Sequence, residues 1–154
     1  MSCLWSKINL NTTHSKKVAP YCDTHSPFLR SRFVGSTLNI VEKVGQKLLD
    51  YDIDCEIIDL QSLIPFDISH RIKKSVEKTN RILIVDEDMP GGASSYILQE
   101  LLNTQKIYNK LDSEPNLLTA KEHRPPYGSD GDYSSKPSFE DIFERVYSIM
   151  NEVN

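Results

Sequence analysis

The sequence predicts an α/β domain in three layers, with helices on both faces of a mainly parallel sheet. Three observations predict it. Amphipathic helical patterns alternate with short apolar runs rich in β-branched residues. One of those runs, Ile82-Leu83-Ile84-Val85, is continuously apolar, as a strand covered on both faces must be. Three carboxylates (Asp86, Glu87, Asp88) follow it, then Pro90-Gly91-Gly92, then a helical pattern with Ile97, Leu98, Leu101 and Leu102 on one side. That strand–turn–helix unit puts its polar groups at the strand's carboxyl end, the edge where open α/β sheets collect binding sites.

Taken in order, residues 1–33 show neither helical nor alternating periodicity. Single hydrophobes are scattered among Ser, Thr, Asn, Pro and His, and a poorly ordered lead-in is expected. The domain starts at Gly35. Ser36 or Thr37 can cap a helix whose apolar positions are Ile40, Val41, Val44, Leu48 and Leu49, ending near Asp50-Tyr51. Residues 53–60 read as a strand, and Leu63-Ile64-Pro65-Phe66 as an apolar loop. Asp67 or Ser69 caps the next helix, with Ile68, Ile72 and Val76 as its buried stripe and Arg71, Lys73, Lys74 and Lys78 toward water. The helix after the glycine turn runs to about Gln105. A short uncertain turn at residues 107–111 and an edge strand at residues 117–121 follow. A long loop at residues 122–137 leads to Ser138, which caps a terminal helix. Glu140 and Asp141 in its first turn suit the helix dipole. Its apolar face is Phe139, Ile142, Phe143, Val146, Ile149 and Met150.

Bulk properties narrow the function. At 154 residues, 38% hydrophobic and 26% charged, the chain has the make-up of one ordinary soluble domain with a real core. No apolar run approaches the roughly 20 residues that span a membrane. Residues 1–35 carry five basic groups against one acid, and the rest 13 basic against 21 acidic, so the folded part repels nucleic acid. The first ten residues lack the apolar stretch of a secretory signal. Cys3, Cys22 and Cys55 are odd in number and without close pairing, which points to a reducing, cytoplasmic setting. Cys3, His14, Cys22 and His25 match no zinc module in their spacing.

No constellation carries evident chemistry. The dinucleotide and P-loop glycine patterns are missing. Gly91-Gly92 ahead of a helix could hold an anion on backbone N–H groups, but Asp86, Glu87 and Asp88 would repel it. Only Asp86 and Asp88 of the triplet share a strand face, too few for a metal site. Asp130 and Asp132 around Gly131 lack the calcium-loop pattern. His70 falls on an exposed first turn, and His123-Arg124 faces a partner more readily than it serves catalysis.

A set of motifs in fixed order goes further. It comprises Gly35-Ser36-Thr37-Leu38, then Ile57-Ile58-Asp59-Leu60-Gln61-Ser62-Leu63-Ile64-Pro65-Phe66-Asp67, then Ser75-Val76-Glu77-Lys78-Thr79-Asn80-Arg81, then Val85-Asp86-Glu87-Asp88 with Pro90-Gly91-Gly92. Together these resemble the C-terminal domain of the transketolase superfamily, most closely the β-type decarboxylating component of 2-oxoacid dehydrogenase complexes, for branched-chain substrates or pyruvate. The tail, His123-Arg124-Pro125-Pro126-Tyr127 with Asp130-Gly131-Asp132-Tyr133, Lys136-Pro137-Ser138 and Glu140-Asp141-Ile142, resembles members in which two chains are fused.

The resemblance implies a three-layer α/β/α domain with a mixed, mainly parallel sheet of about five strands, which pairs subunits, in a dimer or heterotetramer, and helps dock the lipoyl acyltransferase core. The surface expected for those contacts is Glu87, Asp88, Pro90, Gly91, Gly92, His123, Arg124 and Tyr127. Thiamine diphosphate and magnesium belong to other domains of such an enzyme; this chain is expected to bind neither and not to catalyse alone. Family members enter the Gly-Ser-Thr turn from a strongly apolar strand, whereas this chain has Phe28-Leu29-Arg30-Ser31-Arg32-Phe33-Val34. Two buried arginines are costly to desolvate. Residues 1–34 are therefore expected to be foreign to the family, with the domain over residues 35–154 and its first strand open to being missing. The alternative function is a stand-alone interaction module, or an anion-binding one centred on Gly91-Gly92.

Overall fold

The computed structural model describes residues 28–34, 37–123, 131 and 135–152, the first of these segments by its backbone alone. Four strands are described: β1 (Phe28–Val34), β2 (Asp54–Asp59), β3 (Ile82–Asp86) and β4 (Asn116–Leu118). They lie in the order β2-β1-β3-β4, and every pair is parallel. The helices are α1 (Leu38–Leu48), α2 (Arg71–Thr79), α3 (Ala93–Gln99) and α4 (Phe139–Asn151). A wider π turn, Glu100–Thr104, prolongs α3.

β3 shows why three layers form. All five of its residues are buried, and successive side chains leave on opposite faces. Leu83 and Val85 meet Val41, Val44 and Leu48 of α1 and Ile142, Val146 and Ile149 of α4. Ile82 and Ile84 meet Ile72 and Val76 of α2, Ile97 of α3 and Leu101 just beyond it. Each such side chain contributes about 1.5–3 kcal/mol by leaving water, so two opposed helix pairs fix the strand in the middle.

The β1 backbone corrects one expectation. Phe28–Val34 fills a central slot, paired to β2 on one side and β3 on the other, so the first strand is not missing from the sheet. The ladder is made of backbone N–H and C=O groups that every non-proline residue supplies, so Arg30 and Arg32 do not interrupt it. Of the lead-in expected over residues 1–34, residues 1–27 lie outside the described residues. The mainly parallel α/β/α arrangement is as expected. An antiparallel member and a fifth strand are not among the described residues.

Two apolar residues assigned to buried stripes are instead exposed. Leu49 opens a 3₁₀ turn, Leu49–Tyr51, which rotates it off the α1 face. Ile68 precedes α2 altogether, in a turn closed by the His70 amide donating to the Asp67 carbonyl at 2.8 Å. At the opposite end of the sheet, the Arg81 guanidinium donates to the Ile149 carbonyl at 2.6 Å, in the last turn of α4, where helix carbonyls lack intrahelical partners.

β1 connects through α1 to β2 on one side, and β2 connects through α2 to β3 on the other side of β1. The direction in which strands are added across the sheet thus reverses between β1 and β3. The carboxyl ends of those strands, where Val34 faces Asp86 in register, flank the crevice that such a switch opens.

Candidate functional site

The β3–α3 turn fills the β3 side of that crevice. Asp86 ends the strand only 1% exposed. Its Oδ2 accepts the Ser94 amide at 2.9 Å, and its Oδ1 accepts the Asp88 amide at 3.2 Å. The carboxylate therefore caps the first turn of α3 from within the chain, where the helix offers unpaired N–H groups and a partial positive charge. The sequence grouped Asp86 with two solvated carboxylates; the structure buries it as an anchor. The signal that could have found it is an acid closing an all-apolar strand eight residues before a serine in a helix's first turn.

Glu87 and Asp88 follow outside. Glu87 is half-buried, with a carboxylate oxygen 3.6 Å from the Lys136 ammonium. Asp88 is exposed, and its Oδ1 accepts the Met89 amide at 2.8 Å. The Asp88 carbonyl accepts the Ala120 amide at 3.0 Å, and the Lys121 amide donates to the Ser135 carbonyl at 2.9 Å. The segment beyond β4 and the residues before α4 are thereby laced onto this turn. Sequence reasoning places Lys136 only within the tail motif and joins none of these residues to the turn, because each arrives from a distant part of the chain.

Gly91 holds the turn with φ +95, in the left-handed region, and Gly92 caps α3. A Cβ on Gly92 would stand 3.0 Å from Asp88 Oδ2. Pro90 and Gly91 are exposed, and Met89, 56% exposed, adds an apolar side chain to the rim. His123 is exposed on the strand extension, its amide donating to the Lys121 carbonyl at 2.8 Å. Of the expected surface, Glu87, Asp88, Pro90, Gly91 and Gly92 share one turn, and the chain leading to His123 is tied to it. Arg124 and Tyr127 lie outside the described residues.

A diphosphate does not fit this turn. Asp86 already takes the Ser94 donor, and Glu87 and Asp88 place further negative charge beside the glycines. Among the described residues, no three His, Cys, Asp or Glu side chains are grouped to hold a metal ion, and no helix is long and apolar enough to cross a membrane. At Cys55, burial, and then the Asp54 charge, push the thiol up to about 12, away from the thiolate form.

Comparison with known proteins agrees with the architecture. Residues 34–135 match the family "Transketolase, C-terminal domain". The chain is 38% identical over 112 residues to "Pyruvate dehydrogenase E1 component subunit beta" of Mesostigma viride, covering 73% of this chain and 33% of that one. It is 33% identical over 124 residues to the mitochondrial subunit beta of Chaetomium thermophilum, covering 80% and 31%. It thus spans about a third of the length of these curated relatives. A solved structure, "Split gene transketolase, inactive beta4 tetramer", superposes with a TM-score of 0.55 at 14% identity, over 80% of this chain and 38% of that one. With a family match across most of its length, the chain belongs to the transketolase C-terminal domain family.

Proposed function

We propose that this chain is the C-terminal domain of a thiamine diphosphate-dependent 2-oxoacid dehydrogenase decarboxylating component of the pyruvate type, a role in subunit association and in docking the lipoyl acyltransferase core. The observation that carries this reading is the run of relatives named pyruvate dehydrogenase E1 component subunit beta, matched across about a third of their length. The β3–α3 turn supports it. Asp86 is used internally, while Asp88 and Met89 are exposed on a rim braced by the Glu87–Lys136 ion pair and tied at Asp88 to the segment that leads to His123. Thiamine diphosphate and magnesium enter with the remaining domains, where the cofactor supplies the electron sink for decarboxylation. This chain's own part is to hold those domains in register.

The test is reconstitution. A curated relative's subunit beta, deleted for the segment this chain matches, is co-expressed with its companion subunit and with this chain. Co-elution of the three on gel filtration, with restored 2-oxoacid-dependent acylation of a lipoyl domain, is the expected result. Glu87→Lys/Asp88→Lys should lower co-elution without unfolding the chain. Elution of this chain alone, with no activity regained, would overturn the proposal.

A further inference from the structure

We propose that the outer face of α2 and the loop leading into it form a docking surface for an acidic amphipathic segment of another protein. The surface lies on the loop and helix that follow β2, not on the β3–α3 turn, and stands whether or not the chain serves a dehydrogenase.

Ile64 is 84% exposed and Ile68 75% exposed, extreme values for isoleucine. They are not loose ends. Between them, Phe66 packs edge-on against Tyr96 at 6.2 Å between ring centres. Asp67 is held three ways: Oδ1 accepts the Arg71 amide at 3.0 Å, and Oδ2 accepts the Ile72 amide at 2.9 Å and the Gln105 side-chain amide at 3.1 Å. The two inward residues pin the loop onto α2 and α3, and the isoleucines flanking them are presented to solvent by that pinning.

The helix that begins there carries a matching charge pattern. Ile72, Ser75, Val76 and Thr79 are buried. Arg71, Lys74 and Lys78 are exposed, and their spacing of three and four puts them within an arc of about 60° on the outer face. Glu77 falls to one side of that arc. Neither Lys74 nor Lys78 is ion-paired among the described residues. From Arg71 to Lys78 the cations span about 10 Å of helix, two turns of a partner helix.

Two exposed aliphatic anchors at the amino end of a basic stripe fit a helix with leucine-like residues beside a row of carboxylates. An acidic protein segment is favoured over a phosphate surface. Beyond residue 35 the chain carries 13 basic and 21 acidic groups, so a broad anionic sheet or duplex would meet net repulsion away from the stripe. A narrow segment would meet only the stripe.

The experiment uses the full chain and fluorescence anisotropy. The probe is a fluorescein-labelled amphipathic helix bearing Glu on one flank and Leu on the other, with matched peptides carrying Gln for Glu or Ser for Leu. The expected result is saturable binding of the Glu/Leu peptide that weakens as salt rises. Affinity should fall about tenfold for Lys74→Glu/Lys78→Glu, the loss expected of a few exposed ion pairs. It should fall similarly for Ile64→Ser/Ile68→Ser and stay unchanged for Lys43→Glu on α1. All three variants alter exposed positions, and circular dichroism confirms their folding. Equal binding of the three peptides, unchanged affinity in both double variants, or tighter binding to phosphatidylserine vesicles or duplex DNA than to the peptide would overturn the assignment.

Discussion

Asp86 and Ser94 join the end of β3 to the start of α3, the carboxylate accepting the serine amide at 2.9 Å inside the core. The same side chain accepts the Asp88 amide at 3.2 Å, so one buried group sets both ends of the turn that carries Glu87, Met89 and Pro90. Rim and scaffold are therefore coupled through a single residue.

Asp86→Ala should lower stability by about 2–3 kcal/mol, because the buried Ser94 amide and the part-buried Asp88 amide both lose their acceptor. Asp86→Asn keeps an acceptor oxygen but loses the charge at the helix start, and should cost about half as much. Urea unfolding measures both. An alanine variant within experimental error of the parent would show that the turn is held by packing alone.

The α4 cap gives a pH-dependent prediction. The Ser138 hydroxyl donates to Asp141 Oδ2 at 2.7 Å, the Ser138 amide donates to the same oxygen at 3.0 Å, and the Asp141 amide donates back to Ser138 Oγ at 3.2 Å. The hydrogen bond from the Ser138 amide, then that from its hydroxyl, hold the Asp141 carboxyl below the usual carboxylate range, with Lys121 adding a smaller pull. A depressed folded pKa contributes stability above the unfolded value near 4 and loses it as pH falls through the folded value. Asp141→Asn should thus cost about 0.5–1 kcal/mol at neutral pH, and the gap to the parent should narrow below about pH 4. Denaturant titrations across that range check the slope; a gap that widens on acidification would refute the cap's ionic part.

Asp54 and Cys55 at the start of β2 are both shifted upward, the reverse of Asp141. Burial lifts the Asp54 carboxyl above the usual carboxylate range, more than the hydrogen bond from the Cys55 amide lowers it. A raised folded pKa makes the ionised form a burden: the penalty is absent below the unfolded value and complete above the folded one. Asp54→Asn should therefore raise stability at pH 7 and leave it unchanged well below pH 4. Cys55, pushed up to about 12, should resist iodoacetamide at pH 8 and react once urea unfolds the chain, as peptide-resolved mass spectrometry would report. Rapid alkylation of the folded protein at Cys55 would contradict its burial.

Much of this architecture was legible because it follows from periodicity. The run Ile82-Leu83-Ile84-Val85 had to be covered on both faces, and it is. Ser138 was legible as the cap of the terminal helix and Asp141 as an acid suited to its first turn, and the structure joins the two in a capping box. What was hidden depends on geometry that a one-dimensional pattern lacks. Ile68 has helical spacing to Ile72, yet a left-handed His70 at φ 51 starts the helix after it, and the residue turns outward. Phe28–Val34 was set aside for its side chains, while strand pairing is decided by the backbone. At the candidate surface, Glu87 and Asp88 were identified as a pair of carboxylates, but nothing in the sequence joined them to Lys136 and Ala120, which arrive from more than 30 residues away.

Two glycines should respond to alanine with opposite signs. Gly91 has nothing within 4 Å of an added Cβ, but its φ of +95 is a conformation that L side chains rarely adopt. Gly91→Ala should destabilise by about 1 kcal/mol through backbone strain alone. Gly45 lies inside α1, where its Cβ would stand 3.1 Å from Cδ1 of Ile57, the far end of a flexible side chain. Ile57 can yield by a few tenths of an ångström, and alanine gains about 0.8–1 kcal/mol of helix propensity over glycine. Gly45→Ala should then come out stabilising by about 0.5 kcal/mol, the balance left after a small repacking cost. Thermal unfolding of the two variants side by side decides it, with expected Tm shifts of about 2–4 °C downward for Gly91→Ala and one or two degrees upward for Gly45→Ala. A destabilised Gly45→Ala would mean that α1 and β2 are packed too closely for Ile57 to move, and that the glycine is there for the approach of the two backbones.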